Sequence, residues 1–108
     1  YVANFQPFSR KENQVRIQRA AERHRLPVIY AYQNSADNGG LIAYSADLVA
    51  AYGRAGYYVD RILRGAKPGD IPVEQPSKYE LVINLKAAKT LGLKVPPSLL
   101  AEADRVVE

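Results

Sequence analysis

Between residues 39 and 93 the hydrophobic pattern changes period repeatedly, and that succession restricts the fold more than any other feature of the chain. A short apolar run, Leu41-Ile42-Ala43-Tyr44, gives way to Leu48, Tyr52, Ala55, Val59, Ile62 and Leu63, which share one face of a helix. Asp60 and Arg64 stand in the order that favours an ion pair along such a helix, and Gly65 is placed to end it. Lys67-Pro68-Gly69-Asp70 reads as a turn, and Pro72 and Pro76 keep the next residues extended. Tyr79, Leu81, Ile83 and Leu85 alternate with Glu80, Val82 and Asn84, the pattern of a strand. Asn84 is suited to cap a short helix through Leu91, with Gly92 closing it.

The preceding residues repeat the alternation. Tyr1-Val2-Ala3 reads as the tail of a buried strand, and Asn4-Phe5-Gln6-Pro7-Phe8 as the loop after it. An opening on a strand tail leads us to expect a piece of a longer protein. Ser9-Arg10-Lys11-Glu12 has the form of a capping box, and Val15, Ile17, Ala20, Ala21 and His24 form a narrow apolar stripe along the helix it would start. Pro27 stops that helix near Arg25. Val28-Ile29-Tyr30-Ala31-Tyr32 is apolar or aromatic throughout, as a strand buried on both faces of a parallel sheet is. The polar residues 33–40 then form a loop at a strand's carboxyl end, where open α/β sheets bind ligands. Ser45 is the expected cap of the long helix, with Asp47 facing its dipole. Pro96-Pro97 launches a last helix along Leu99, Leu100, Ala103, Val106 and Val107. At 108 residues this is one α/β domain, with parallel strands flanked by helices.

Several chemistries are disfavoured. With no cysteine, disulfides and thiolate chemistry are excluded, and the single histidine, His24, builds no metal site alone. His24 is better read as packing or capping at a helix end than as a catalyst. No apolar run approaches the ~20 residues of a membrane-spanning helix. The net charge of +4 resides entirely in residues 10–25, where six basic side chains face two acidic ones. Mixed signs on one helix describe a solvated face rather than a nucleic-acid surface. No nucleophile elbow, P-loop or dinucleotide fingerprint is present, and Gly39-Gly40 permits a tight turn rather than a phosphate cradle. Nothing calls for a cofactor, and the chain reads as a binding module and not an enzyme.

Ten aromatic residues, eight of them tyrosine, are the unusual part of the composition. Phe5, Phe8, Tyr30, Tyr32 and Tyr44 fall near strand ends, where they could line a cleft for a flat or apolar ligand. The plainer alternative is core and helix packing, which is the reading for Tyr52.

Four separated blocks carry a resemblance. They are Gly39-Gly40-Leu41-Ile42-Ala43-Tyr44-Ser45, Tyr58-Val59-Asp60-Arg61-Ile62-Leu63-Arg64-Gly65-Ala66-Lys67-Pro68, Ile71-Pro72-Val73-Glu74-Gln75-Pro76 and Tyr79-Glu80-Leu81-Val82-Ile83-Asn84-Leu85-Lys86. Together, and continued by Pro96-Pro97-Ser98-Leu99-Leu100, they resemble the C-terminal part of ABC-transporter substrate-binding proteins of the tryptophan/tyrosine type. The resemblance implies part of a type I periplasmic-binding-protein fold, with residues 1–45 and 73–108 in the second lobe. Residues 46–72 would then cross the hinge and pack on the first lobe. It further implies a small organic solute, an aromatic or branched amino acid, delivered to a membrane permease from a periplasmic or membrane-anchored position. Its ligand-binding positions correspond here to Phe8, Tyr32, Gln33, Asn34, Tyr44 and Ser45, with Ala43 and Ser45 departing from the usual Ser-Tyr-Gly-type turn. An uncovered apolar face on helix 46–64 leads to the expectation of a homodimer. The rival readings are an effector-sensing lobe of a transcription regulator and a small α/β enzyme domain.

Overall fold

A computed structural model of the chain describes Tyr1 and residues 10–108. The expected strand tail at Val2-Ala3, the loop with Pro7-Phe8 and the Ser9 hydroxyl cap lie outside the described residues. Two compact units are formed, one from residues 1–45 with 80–108 and one from residues 46–79.

In the first unit, helix α1 (Lys11–Arg23) starts from Arg10 at its N-cap, without a side-chain cap bond. Its buried face is Gln14, Gln18 and Ala21, whereas Val15 and Ile17 are half-buried and Ala20 and His24 are exposed. The apolar stripe is thus displaced from the expected one. Apolarity alone misses it because the methylenes of a glutamine can pack on the inner face of a helix. His24 ends the helix through its backbone, donating to the Ala20 carbonyl at 3.1 Å, and Arg25 turns the chain with φ 51°.

Four strands follow in the order β1 (Ile29–Tyr30), β2 (Ile42–Ala46), β3 (Tyr79–Asn84) and β4 (Arg105–Val107), which is also their spatial order. β1 runs parallel to β2, with Tyr30 beside Ala43, and β3 runs parallel to β4, with Val82 beside Arg105. The central pair runs the other way. Asn84 donates its N–H to the Leu41 carbonyl and Asp47 to that of Lys78, so β2 and β3 are antiparallel. The fold is the expected α/β class with mostly parallel pairing.

Two expectations need correction here, for β1 and for the C-terminal residues. β1 is two residues long and is not covered on both faces, since Tyr30 is buried while Ile29 is 42% exposed. It ends the strand order of the described residues. β3, by contrast, is an interior strand buried on both faces from Val82 to Asn84, although its sequence alternates. The C-terminal residues are not one helix. Helix α4 (Pro97–Ala101) stops after a single turn, and Val106 and Val107 belong to β4. Asp104 explains the switch: its N–H donates to the Leu81 carbonyl, and its carboxylate accepts the Leu81 N–H at 2.8 Å. Those two bonds dock the chain on β3, where β-branched valines fit a pleated ladder better than a helix. Val107 then packs on the core formed by Ala36, Ala43 and Val82.

Helix α3 (Leu85–Leu91) is capped as expected, with Asn84 Oδ1 accepting the Ala87 N–H at 2.9 Å and Gly92 left-handed at its end. In the second unit, helix α2 (Leu48–Leu63) is capped by Asp47 and not by Ser45, because β2 continues through Ala46. Asp47 accepts the Ala50 N–H at 3.0 Å and pairs with Lys78 at 2.9 Å, and both contacts hold its carboxyl below the usual range. The Asp60–Arg64 pair forms at 2.9 Å. No residue of α2 is buried, and Tyr52, expected in a core, is 75% exposed.

Candidate functional site

The first unit gathers polar side chains where β1 and β2 end. Tyr32 lies beyond the end of β1, past a bend at Ala31–Tyr32, with extended dihedrals (φ −126°, ψ 127°). The two hydrogen bonds joining β2 to β3 set Ser45 directly across from Glu80, on one sheet face. The single helical turn Gln33–Ser35 follows Tyr32 at once and brings Gln33 to this pair, where its amide Nε2 donates to the Glu80 carboxylate.

Arg105, at the start of β4, completes the cluster. Its Nη1 and Nη2 donate to the two carboxylate oxygens of Asp37 at 2.6 and 2.8 Å, and its Nε stands 3.8 Å from Glu80. The Arg105 hydrogen bonds hold the Asp37 carboxyl below its ordinary value, against the opposing effect of burial. Arg105 thereby ties the loop after β1 to the last strand of the sheet. Asn84 ties it a second time, its Nδ2 donating to the buried Ala36 carbonyl at 2.8 Å.

Of the residues expected from sequence, Gln33 and Ser45 come together at Glu80, and Tyr32 directly precedes Gln33 in the loop. Asn34 does not join them: it is exposed, and its carbonyl closes a turn by accepting the Asn38 N–H. Tyr44 is half-exposed and, adjacent to Ser45 in a strand, projects to the opposite face. Phe8 lies outside the described residues. Sequence reasoning missed Glu80, Asp37 and Arg105. Glu80 had the outward, polar place in an alternating strand, and Arg105 fell in an expected helix. Only the pairing of β3 with both neighbours reveals their proximity.

Among the described residues, two hollows can be placed, one in each unit. One, in the first unit beside Gln18, Tyr30, Gly39 and Gly40, has about 20 Å³, enough for one water and too little for a solute. The other, in the second unit, is a groove of about 300 Å³ between α2 and residues 74–78. Its polar groups satisfy one another. Arg54 donates to both oxygens of Glu74 at 2.8 and 2.6 Å and lies 3.8 Å above the Tyr57 ring. The Arg54 hydrogen bonds, then that of Tyr58, lower the Glu74 carboxyl to about 2.

The chain is similar to proteins of known family and structure. The sequence profile of the ABC transporter substrate binding protein family matches residues 7–107. A tyrosine-binding protein of Clostridioides difficile is 27% identical over 78 residues, 72% of this chain and 23% of that protein. The crystal structure of a conserved domain protein from Vibrio cholerae superposes with a TM-score of 0.79 at 28% identity, over 88% of this chain and 32% of that one. An ABC domain from Streptococcus pneumoniae in complex with L-Trp gives 0.73 at 31% identity, over 84% of this chain and 32% of that one. The chain thus spans about a quarter to a third of the length of these relatives. With the profile matching nearly its whole length, the chain belongs to the ABC transporter substrate-binding proteins, a family of solute binders and not of enzymes.

Proposed function

We propose that this chain supplies part of the solute receptor of an ABC importer, and that Tyr32, Gln33, Ser45 and Glu80 form one wall of its pocket. The convergence of these side chains at the ends of β1 and β2 carries the reading, since this is where open α/β sheets place ligands. The solute is an aromatic or branched amino acid; the named ligands of the tyrosine-binding and L-Trp-bound relatives support the aromatic choice. Residues 1–45 and 73–108 belong to the second lobe and residues 46–72 cross the hinge, with closure around the solute as the working motion. A membrane permease is the partner, and the receptor works outside the cytoplasmic membrane. Calorimetric titration of the full-length protein with the amino acids tests this. Tyr32→Ala and Gln33→Ala are expected to weaken binding about 10- to 100-fold. Unchanged affinity in both variants removes these residues from the pocket.

The exposed face of α2 bears on assembly. Leu48, Tyr52, Val59 and Leu63 are all more than half exposed along it. A stripe this long is a large apolar patch to leave in water, and in the chain on its own we place a second copy against it, in a self-complementary contact. Light scattering of the isolated chain is then expected to give twice 12.0 kDa. A monomer whose helix content is intact removes the homodimer.

A further inference from the structure

The loop of residues 33–38 carries Gln33 but has little apolar material to hold it in place. Ser35 and Ala36 are its buried residues, and the rest of it is polar and at least partly exposed. Polar contacts therefore decide where the loop rests on the sheet. Gln33 donates to the Glu80 carboxylate, the Ala36 carbonyl accepts from Asn84, and Asp37 is held by Arg105.

Arg105 differs from the other two sheet residues in reaching two carboxylates at once. Its Nη1 and Nη2 close on Asp37, and its Nε forms a looser ion pair with Glu80 at 3.8 Å. A guanidinium spreads five donors over a rigid plane, so one cation can bridge two anions in a way that a lysine ammonium does not. The two anions belong to the two parts that must stay together. Asp37 comes from the loop, and Glu80 comes from β3, where it also accepts Gln33. Without the guanidinium they would meet as like charges, which repel. A single half-exposed ion pair is worth little, but a carboxylate gripped through both oxygens within a network of charges is the exception.

We infer that Arg105 is a positioning residue of the solute site: by neutralising Asp37 against Glu80 it keeps the loop seated on the sheet, and Gln33 with it. The consequence for binding rests on the pocket assignment above, whereas the seating of the loop can be read without solute.

Two measurements on the full-length protein test this: calorimetry with L-tryptophan and L-tyrosine, and hydrogen exchange of residues 33–40 in the absence of solute. Arg105→Ala is expected to quicken exchange there by about 3- to 10-fold while α3 keeps its rate, and to weaken binding by a similar factor. Arg105→Gln serves should the alanine variant not fold. Adding Asp37→Asn to Arg105→Ala separates a charge bridge from a plain tether. It removes the repulsion, so exchange and affinity should both recover by at least about twofold, whereas loss of a tether alone allows no recovery. In a Gln33→Ala background, Arg105→Ala should cost less than about twofold in affinity, because Arg105 acts through Gln33. Unchanged exchange, no recovery with Asp37→Asn, or equal losses of affinity with and without Gln33 overturn the inference. If neither amino acid binds, or if Gln33→Ala alone leaves affinity unchanged, the pocket reading has failed by itself. The exchange rates of the single and double variants then decide for or against Arg105.

Discussion

Asn84→Ala is expected to destabilise the first unit by about 2–4 kcal/mol, measured as a fall in the urea unfolding free energy. Asn84 is nearly fully buried and joins three parts of the fold. Its backbone N–H donates to Leu41 on the neighbouring strand. Its Oδ1 caps α3 through the Ala87 N–H, and its Nδ2 donates to the Ala36 carbonyl. Alanine leaves the first bond and removes the other two. Loss of the cap costs about 1 kcal/mol, and a buried carbonyl left without its donor costs about 1–3 kcal/mol more. Asn84→Asp separates the terms, because its carboxylate keeps the capping oxygen and loses the donor to Ala36, whereas the protonated acid can supply both. It should fall between wild type and Asn84→Ala at a pH that allows its protonation, and lower where the carboxylate is charged. A value for Asn84→Ala within 0.5 kcal/mol of wild type, on the order of an ordinary surface change, would show that neither contact matters. Since the Ala36 bond pins the loop that carries Gln33, solute affinity should fall in parallel.

Gly40→Ala is the second large effect, expected at about 1–3 kcal/mol. A Cβ at residue 40 would stand 2.8 Å from the Ser35 carbonyl oxygen and 2.8 Å from the Tyr30 ring. Neither neighbour can retreat easily. The Ser35 oxygen already accepts the Gly40 N–H at 2.8 Å, and Tyr30 is 1% exposed. Gly56→Ala is the matched control, because its Cβ would meet nothing within 4 Å on the exposed surface of α2. There alanine should stabilise, by up to about 1 kcal/mol from helix propensity. If both substitutions move the melting temperature the same way, close packing at Gly40 is not what fixes that residue. Gly39 and Gly40 thus follow each other for different reasons. Gly39 has φ 101°, which disfavours a side chain by conformation, and Gly40 is excluded from carrying one by its neighbours.

The parts of the fold legible in the sequence are those whose causes lie within a few residues. The Asn84 cap, the Asp60–Arg64 pair, the end of α3 at Gly92 and the turn at Pro68 are of this kind, and each stands where it was expected. Where two neighbouring residues could serve, local reasoning erred by little: Asp47 took the cap assigned to Ser45 once β2 had absorbed Ser45. The family resemblance was legible for a related reason, because several short blocks keep their identity and order along the chain.

Burial was less legible. The glutamines on the inner face of α1, the interior place of β3 and the conversion of Val106 and Val107 from helix to strand depend on what lies across from them. Asp104 illustrates the point, since its two bonds to Leu81 join residues 23 apart in the chain. The candidate site divides in the same way. Tyr32, Gln33 and Ser45 were accessible from sequence through motif and position at strand ends. Glu80, Asp37 and Arg105 were not, because 68 residues separate Asp37 from Arg105 and 47 separate Gln33 from Glu80. The sequence by itself determined most of the elements, the Asn84 cap and the family. Only the tertiary structure decided the sheet order, the antiparallel central pair and the carboxylate that faces Ser45, because strand pairing joins residues whose proximity no local preference encodes.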